Sequence, residues 1–189
     1  MECFDISHMQ GSETVASMVV FEGGVAKKSD YRRFKIRSAE GKPDDFKSMR
    51  EVTTRRYGAP DAEMPDLIVI DGGKGQLSSA LEIIRGAGHL LVPVVGLAKR
   101  EEEVFREGES EPVILPRDSQ ALFLIQRIRD EAHRFAITYH RRLRGKRNMV
   151  SVLDHIEGIG PKRRQLLYEH YGELEKIKEA SVEEMAGLD

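Results

Sequence analysis

The sequence predicts a mixed α/β domain, a five-stranded sheet with flanking helices, followed by a small all-α segment. Three observations carry this. Residues 2–36 hold three apolar stretches joined by short links, the pattern of an antiparallel meander. Residues 43–143 then alternate helical and strand-like segments, which adds parallel units. Beyond residue 150 only short helical runs and glycine turns remain.

Residues 2–8 read as a short buried strand. Thr14-Val15-Ala16-Ser17-Met18-Val19-Val20-Phe21 is β-branched and apolar and predicts a second. Glu22-Gly23-Gly24 is a tight turn, because glycine reaches positive φ at no steric cost. A third strand is expected over residues 25–36, where Tyr31, Phe34 and Ile36 roughly alternate. Pro43-Asp44-Asp45 opens a helix with Asp44 as N-cap; Phe46, Met49 and Val52 form its apolar stripe. Leu67-Ile68-Val69-Ile70-Asp71 is a continuous apolar run, as for a strand covered on both faces. A helix over residues 74–87 and a strand over residues 92–97 follow. Residues 103–106 and 112–115 are expected to pair as a hairpin around Gly108. Asp118 caps a long helix near residues 118–143, with Ala121, Leu122, Leu124, Ile125, Ile128 and Ala132 on its apolar side. Lys146-Arg147-Asn148-Met149 reads as a linker. After it come a helix over residues 150–156, the turn Glu157-Gly158-Ile159-Gly160 and a helix opened by Pro161. A short helix near residues 173–180 and a last start capped by Ser181 complete the chain. The expected division is a domain over residues 1–147 and a segment over residues 150–189.

At 189 residues, 40% hydrophobic and 33% charged, the chain can bury a real core under a heavily charged surface. No run is long enough to span a membrane and no secretory signal is visible. Cys3 alone excludes an internal disulfide and a cysteine-rich zinc site, and a reducing, soluble compartment is expected. The net charge of −2 hides a basic stretch: Arg127, Arg129, Arg134, Arg141, Arg142, Arg144, Lys146 and Arg147 against Asp130 and Glu131. Lys27, Lys28, Arg32, Arg33, Lys35 and Arg37 form another. Such runs are either solvated faces or phosphate-binding ones, and the position of the first beside the candidate site favours phosphate.

The chemistry begins with two strands that each end on an aspartate, Asp5 and Asp71. A carboxylate at the end of a buried strand is costly without a partner. If the two strands are neighbours, their carboxylates lie a few ångströms apart and need a divalent cation between them, unless one stays protonated. The long helix, packed across that edge, would deliver His133 as metal ligand or proton-transfer group. Asp44, Asp45, Asp130 and Glu131 are reserves, and His8, three residues beyond Asp5, is a possible neighbour of the site. Singly, Asp71 as a turn cap and His133 as an ordinary helix histidine are the simpler readings; the strand order favours a site. Gly72-Gly73-Lys74-Gly75 lacks both the P-loop and the dinucleotide spacing, so a nucleotide-binding phosphotransferase is disfavoured. Its glycines suit a sharp turn with Lys74 facing phosphate oxygens. Lys99 and Arg100 could contact phosphate or form a solvated loop. In the tail, Gly158 and Gly160 followed by Lys162, Arg163 and Arg164 suit backbone contacts to DNA, with a plain helix–turn–helix packing unit as the alternative.

These segments together resemble the C-terminal half of the UvrC family, the nuclease subunit of bacterial nucleotide excision repair. The resemblance is carried by Glu2-Cys3-Phe4-Asp5-Ile6-Ser7-His8, Tyr31-Arg32-Arg33-Phe34, Asp44-Asp45-Phe46-Lys47-Ser48-Met49 and Ile70-Asp71-Gly72-Gly73-Lys74-Gly75-Gln76. Arg129-Asp130-Glu131-Ala132-His133-Arg134-Phe135 and Ile156-Glu157-Gly158-Ile159-Gly160 complete it. It implies an RNase H-like endonuclease domain followed by a helix-hairpin-helix segment on double-stranded DNA. It implies a cut on the 5′ side of a lesion, Mg²⁺ or Mn²⁺ as cofactor, and an Asp-Asp-His triad at Asp5, Asp71 and His133. A further family aspartate falls at Asp44 or Asp45. Lys74, Arg129 and Arg134 are expected near phosphate charge. The family's N-terminal nuclease domain and UvrB-binding segment are absent, and a second hairpin is only starting at Ala186-Gly187-Leu188-Asp189, so a fragment of a bacterial cytoplasmic protein is expected. The competing class is a catalytically silent DNA-binding or scaffold module of the same fold.

Overall fold

The computed structural model describes residues 1–8, 14–38, 44–98, 102–156 and 158–188, without the side chains of residues 142–151. Lys99, Arg100, Glu157 and the side chains of Arg142, Arg144, Lys146 and Arg147 therefore lie outside the described residues. The chain divides into two compact units, Met1–Ala136 and Ile137–Asp189.

The first unit is built on β1 (Glu2–His8), β2 (Thr14–Glu22), β3 (Val25–Ala26), β4 (Arg32–Lys35), β5 (Ile68–Ile70), β6 (Val94–Ala98) and β7 (Glu103–Arg106). These seven strands form one mixed sheet in the order β3-β2-β1-β5-β6-β7, with β4 also on β2. The mixed α/β architecture is as expected, but the sheet has two strands more than the five expected. The third stretch does not run straight. A 3₁₀ turn at Lys28–Asp30 breaks it, so β3 pairs with one end of β2 and β4 with the other. Nor is residue 103–106 chiefly a hairpin partner. β7 pairs antiparallel with β6, while an isolated bridge, Val104↔Val113, links it to the 112–115 stretch.

The strand period of two sorts side chains onto two faces. Phe4, Ile68 and Ile70 point to one side, where they pack on Met49 and Val52 of α1 (Asp45–Tyr57) and Leu77, Ala80 and Ile84 of α2 (Lys74–Gly86). Cys3, Val19, Val69 and Leu97 point to the other, against Ile128 and Ala132 of α3 (Gln120–Leu153). Residues 128, 132 and 136 are spaced by one helical turn, and all three are buried. α3 starts one residue after Ser119, whose Oγ accepts from the Leu122 N–H; Ser119 rather than Asp118 is thus its cap. The helix runs unbroken through residues 146–149, so the expected linker is helical.

The second unit contains α4 (Pro161–Tyr171), α5 (Leu174–Glu179) and α6 (Val182–Ala186). Its small core joins Leu153 and Ile177 to Ile159, Leu167, Tyr168, Tyr171, Leu174 and Met185. Ser181 and Glu184 form the expected capping box on α6.

Candidate metal centre

β1 and β5 run parallel, with Cys3 opposite Val69 and Phe4 opposite Ile70. The Asp71 N–H then donates to the Phe4 carbonyl at 2.9 Å, which carries the pairing one residue further. Strand alternation fixes the direction of the two aspartates. Cys3 and Val69 face α3, so Asp5 and Asp71, two residues on in each strand, face it too. Asp5 is 2% exposed and Asp71 8%.

His133 follows the buried Ala132 on α3 and its side chain is half exposed, at 53%. Its Nδ1 lies 3.6 Å from Asp5 Oδ2, beyond a good hydrogen bond but within ion-pair range. One ligand atom each from Asp5, Asp71 and His133 lies within 4.8 Å of the others. The donor chemistry fits a hard divalent cation. Two adjacent carboxylates in a buried setting repel one another, and a cation between them removes the conflict. The same pair acts on Cys3, whose thiol is pushed well up by burial first, then by Asp71 and Asp5.

Asp71 lies on two adjoining clefts. One, of about 270 Å³, is lined by Asp5, Ile6, Asp45, Asp71, Gly72, Gly73, Gln76 and Ala98 at the carboxyl ends of the parallel strands. The other, of about 260 Å³, is lined by Asp71, Glu102, Arg129, Asp130 and His133. Both clefts lie at the strand ends, where open α/β sheets bind ligands.

The structure separates the reserve residues. Asp44 is the N-cap of α1, accepting from the Lys47 N–H at 3.0 Å. Asp45 instead lines the cleft with Asp5 and Asp71. Arg129, one turn before His133, is mostly buried; burial works against its charge, but Glu102 and Asp130 outweigh it and raise its pKa. Arg134 and Glu131 pair with each other at 2.6 Å, and Glu131 also accepts from the Tyr31 hydroxyl at 3.0 Å. The Arg134 hydrogen bond and, against it, burial set the Glu131 carboxyl below the ordinary range. Neither residue lines either cleft. Lys74 does not reach the clefts: its ammonium donates to the Ser110 carbonyl and sits 5.3 Å above the Phe105 ring.

The glycines around Lys74 also do something other than bend the chain, since neither Gly72, Gly73 nor Gly75 has positive φ. They make room. A Cβ on Gly75 would meet the Phe46 ring at 2.8 Å from Cζ, and one on Gly72 would meet the Gln76 side chain at 2.8 Å. In the second unit, Gly158 does need its freedom, with φ +86°. Gly160 is the N-cap of α4, and Lys162 and Arg163 are exposed on that helix's first turn. Arg163 donates back to the Gly158 carbonyl at 3.1 Å, while Arg164 is tied to Asp154.

Residues 1–137 match the family described as the UvrC RNAse H endonuclease domain. The chain belongs to the UvrC family. Among curated relatives, the UvrABC system protein C of Salinibacter ruber is 55% identical over 187 residues, covering 96% of this chain and 30% of that protein. The protein of the same name from Gloeobacter violaceus is 51% identical over 193 residues, covering 98% of this chain and 31% of its own length. The relative from Chlorobaculum tepidum is 49% identical and covers the whole chain and 30% of its own. The chain thus spans about a third of the length of the UvrC relatives it matches.

Proposed function

We propose that this chain is a metal-dependent DNA endonuclease that makes the 5′ incision beside a lesion in bacterial nucleotide excision repair. The observation that supports it most is the convergence of Asp5, Asp71 and His133 ligand atoms within 4.8 Å, at the strand ends of a UvrC RNase H-like domain. Mg²⁺ or Mn²⁺ held there would supply Lewis-acid stabilisation of the phosphate and a more acidic water. Asp5 and Asp71 are the residues that would hold it, with His133 completing the set or taking a proton at its exposed ring nitrogen. Arg129 lines the same cleft and offers positive charge to a phosphate that enters it. The first turn of α4, with Gly158, Gly160, Lys162, Arg163 and Arg164, suits sequence-independent contacts to the backbone of double-stranded DNA. Lesion choice then belongs to partners, UvrB among them, acting in the longer protein. No helix among the described residues is long and apolar enough to cross a membrane.

The test is Mn²⁺-dependent nicking of supercoiled plasmid by wild type, Asp5→Ala and His133→Ala. Nicking by wild type, lost in both variants at unchanged melting temperature, is the expected result. Equal nicking by all three overturns the site. A folded wild type that binds DNA and never nicks, alone or with UvrB, points to the silent module instead.

A further inference from the structure

We propose that His8 is a positioning residue, which holds the Asp45 carboxylate at the rim of the metal cleft while Thr14 fixes the His8 ring. The inference rests on the reading of Asp5, Asp71 and His133 as a nuclease site, and deepens it.

The arrangement follows from strand alternation. Asp5 faces α3, so Phe4, Ile6 and His8 face the opposite side, where α1 begins. Asp45 is the first residue of α1, and because Asp44 does the capping, the Asp45 side chain is free for another task. His8 Nε2 stands 2.5 Å from Asp45 Oδ1. Its Nδ1 stands 3.0 Å from Oγ1 of Thr14, the residue paired with it across β1 and β2 and only 4% exposed. The other Asp45 oxygen accepts from Gln76 Nε2 at 3.4 Å, from the first turn of α2. One carboxylate is thereby gripped from both sheet and helix, while it lines the cleft that holds Asp5 and Asp71.

The direction of the hydrogen bonds is determined by chemistry. An ionised carboxylate only accepts, so Nε2 must carry the hydrogen. Thr14 then either donates to a bare Nδ1 or accepts from Nδ1–H, and a hydroxyl does both. The ring is held in the same place in either case. The tie also has something to oppose. Asp45 is 44% exposed and sits in the first turn of a helix, where solvent and the free N–H groups compete for its charge. Held inward, it offers an acceptor to water entering beside Asp5 and Asp71. Such outer partners of a metal site are worth roughly 10–100-fold in metal affinity or activity.

The experiment uses the full chain with His8→Ala, His8→Gln, Asp45→Ala and the His8→Ala/Asp45→Ala double variant. Nicking at saturating Mn²⁺ is expected to fall about tenfold in His8→Ala and to recover in His8→Gln, whose amide can still donate. The double variant should be no slower than Asp45→Ala alone, because His8 acts only through Asp45. Melting temperatures in EDTA supply a readout without metal or turnover: the losses of the two single variants should fail to add. Full activity in His8→Ala, additive losses in the double variant, or additive melting shifts each overturn the proposal. Asp5→Ala run alongside separates the two readings. If it nicks like wild type, the metal centre has failed; if it is dead while His8→Ala is fully active, only the role of His8 has.

Discussion

Two buried acids sit three residues apart on β1 and are treated in opposite ways. Glu2, 6% exposed, is gripped by Arg56 through paired hydrogen bonds of 3.1 and 2.6 Å, and the buried Tyr57 hydroxyl donates to it as well. Asp5, equally buried, has a second carboxylate for a neighbour and a histidine at 3.6 Å. Glu2 is paired with an arginine inside the chain; Asp5 and Asp71 are the pair proposed here to hold a cation from solution. Burial alone therefore does not mark a functional acid. The sign of its neighbours does.

The comparison can be broken most sharply at Asp71. Asp71→Asn is expected to lower plasmid nicking by at least about a thousandfold, of the order seen when a principal charge-stabilising group is lost. The fold should gain from relief of like-charge repulsion, so its melting temperature in EDTA is expected to hold or rise. Mn²⁺ should raise the wild-type melting temperature by linkage and leave that of Asp71→Asn in place. The Glu2 pair at the start of β1 should respond the other way. Arg56→Met strands the Glu2 carboxylate and is expected to cost about 3 kcal/mol in urea unfolding, with normal nicking well below the midpoint.

Smaller effects sharpen the contrast. Gly160→Asp places a carboxylate where a phosphate is proposed to sit. The added Cβ meets nothing within 4 Å, and aspartate is a good N-cap, so α4 should be kept. DNA retention in a gel shift is expected to weaken roughly five- to tenfold, with a shallower salt dependence for the loss of favourable phosphate contact. Unchanged retention would count against the hairpin. The smallest effect concerns Glu51, whose carboxyl lies below the ordinary range: burial opposes this, but the Ser38 and Arg37 N–H groups and Arg55 outweigh it. A depressed folded-state pKa gives stability that is present above the unfolded value, about 4.3, and is lost as pH falls through the lower folded one. Glu51→Gln should therefore cost about 1 kcal/mol at pH 7 and flatten the fall in stability from about pH 4 downward, read by urea unfolding at several pH values.

Much of this was legible in the sequence because the relevant signals are local. The apolar run ending at Asp71 and the β-branched run from Thr14 to Phe21 declare strands, and the helical period around Ile128 and Ala132 places His133 near a buried stripe. Long-range choices were less visible. Glu2 and Asp5 look alike in sequence, and only strand parity and the arrival of Arg56 distinguish them. Asp44 and Asp45 are adjacent, and the helix start decides which one caps. Lys74 beside three glycines suggests a phosphate loop, yet Gly75 and Gly72 answer to Phe46 and Gln76, and the ammonium finds Ser110. The break at Lys28–Asp30 arises because β2 is long enough to take two short partners in succession. His8 had one weak signal, its place three residues after Asp5, and its partners come from β2 and α1.

The hydrogen bond from the Asp71 N–H to the Phe4 carbonyl acts as a gauge. It sets two carboxylates side by side by main-chain pairing alone, without any loop to adjust them. A slip of one residue between β1 and β5 would turn Asp71 to the α1 and α2 face, away from Asp5. The centre therefore exists only in a chain whose sheet has closed in register. A nascent or partly unfolded molecule carries the residues without the cluster, so the cutting site proposed here is assembled only by the completed sheet.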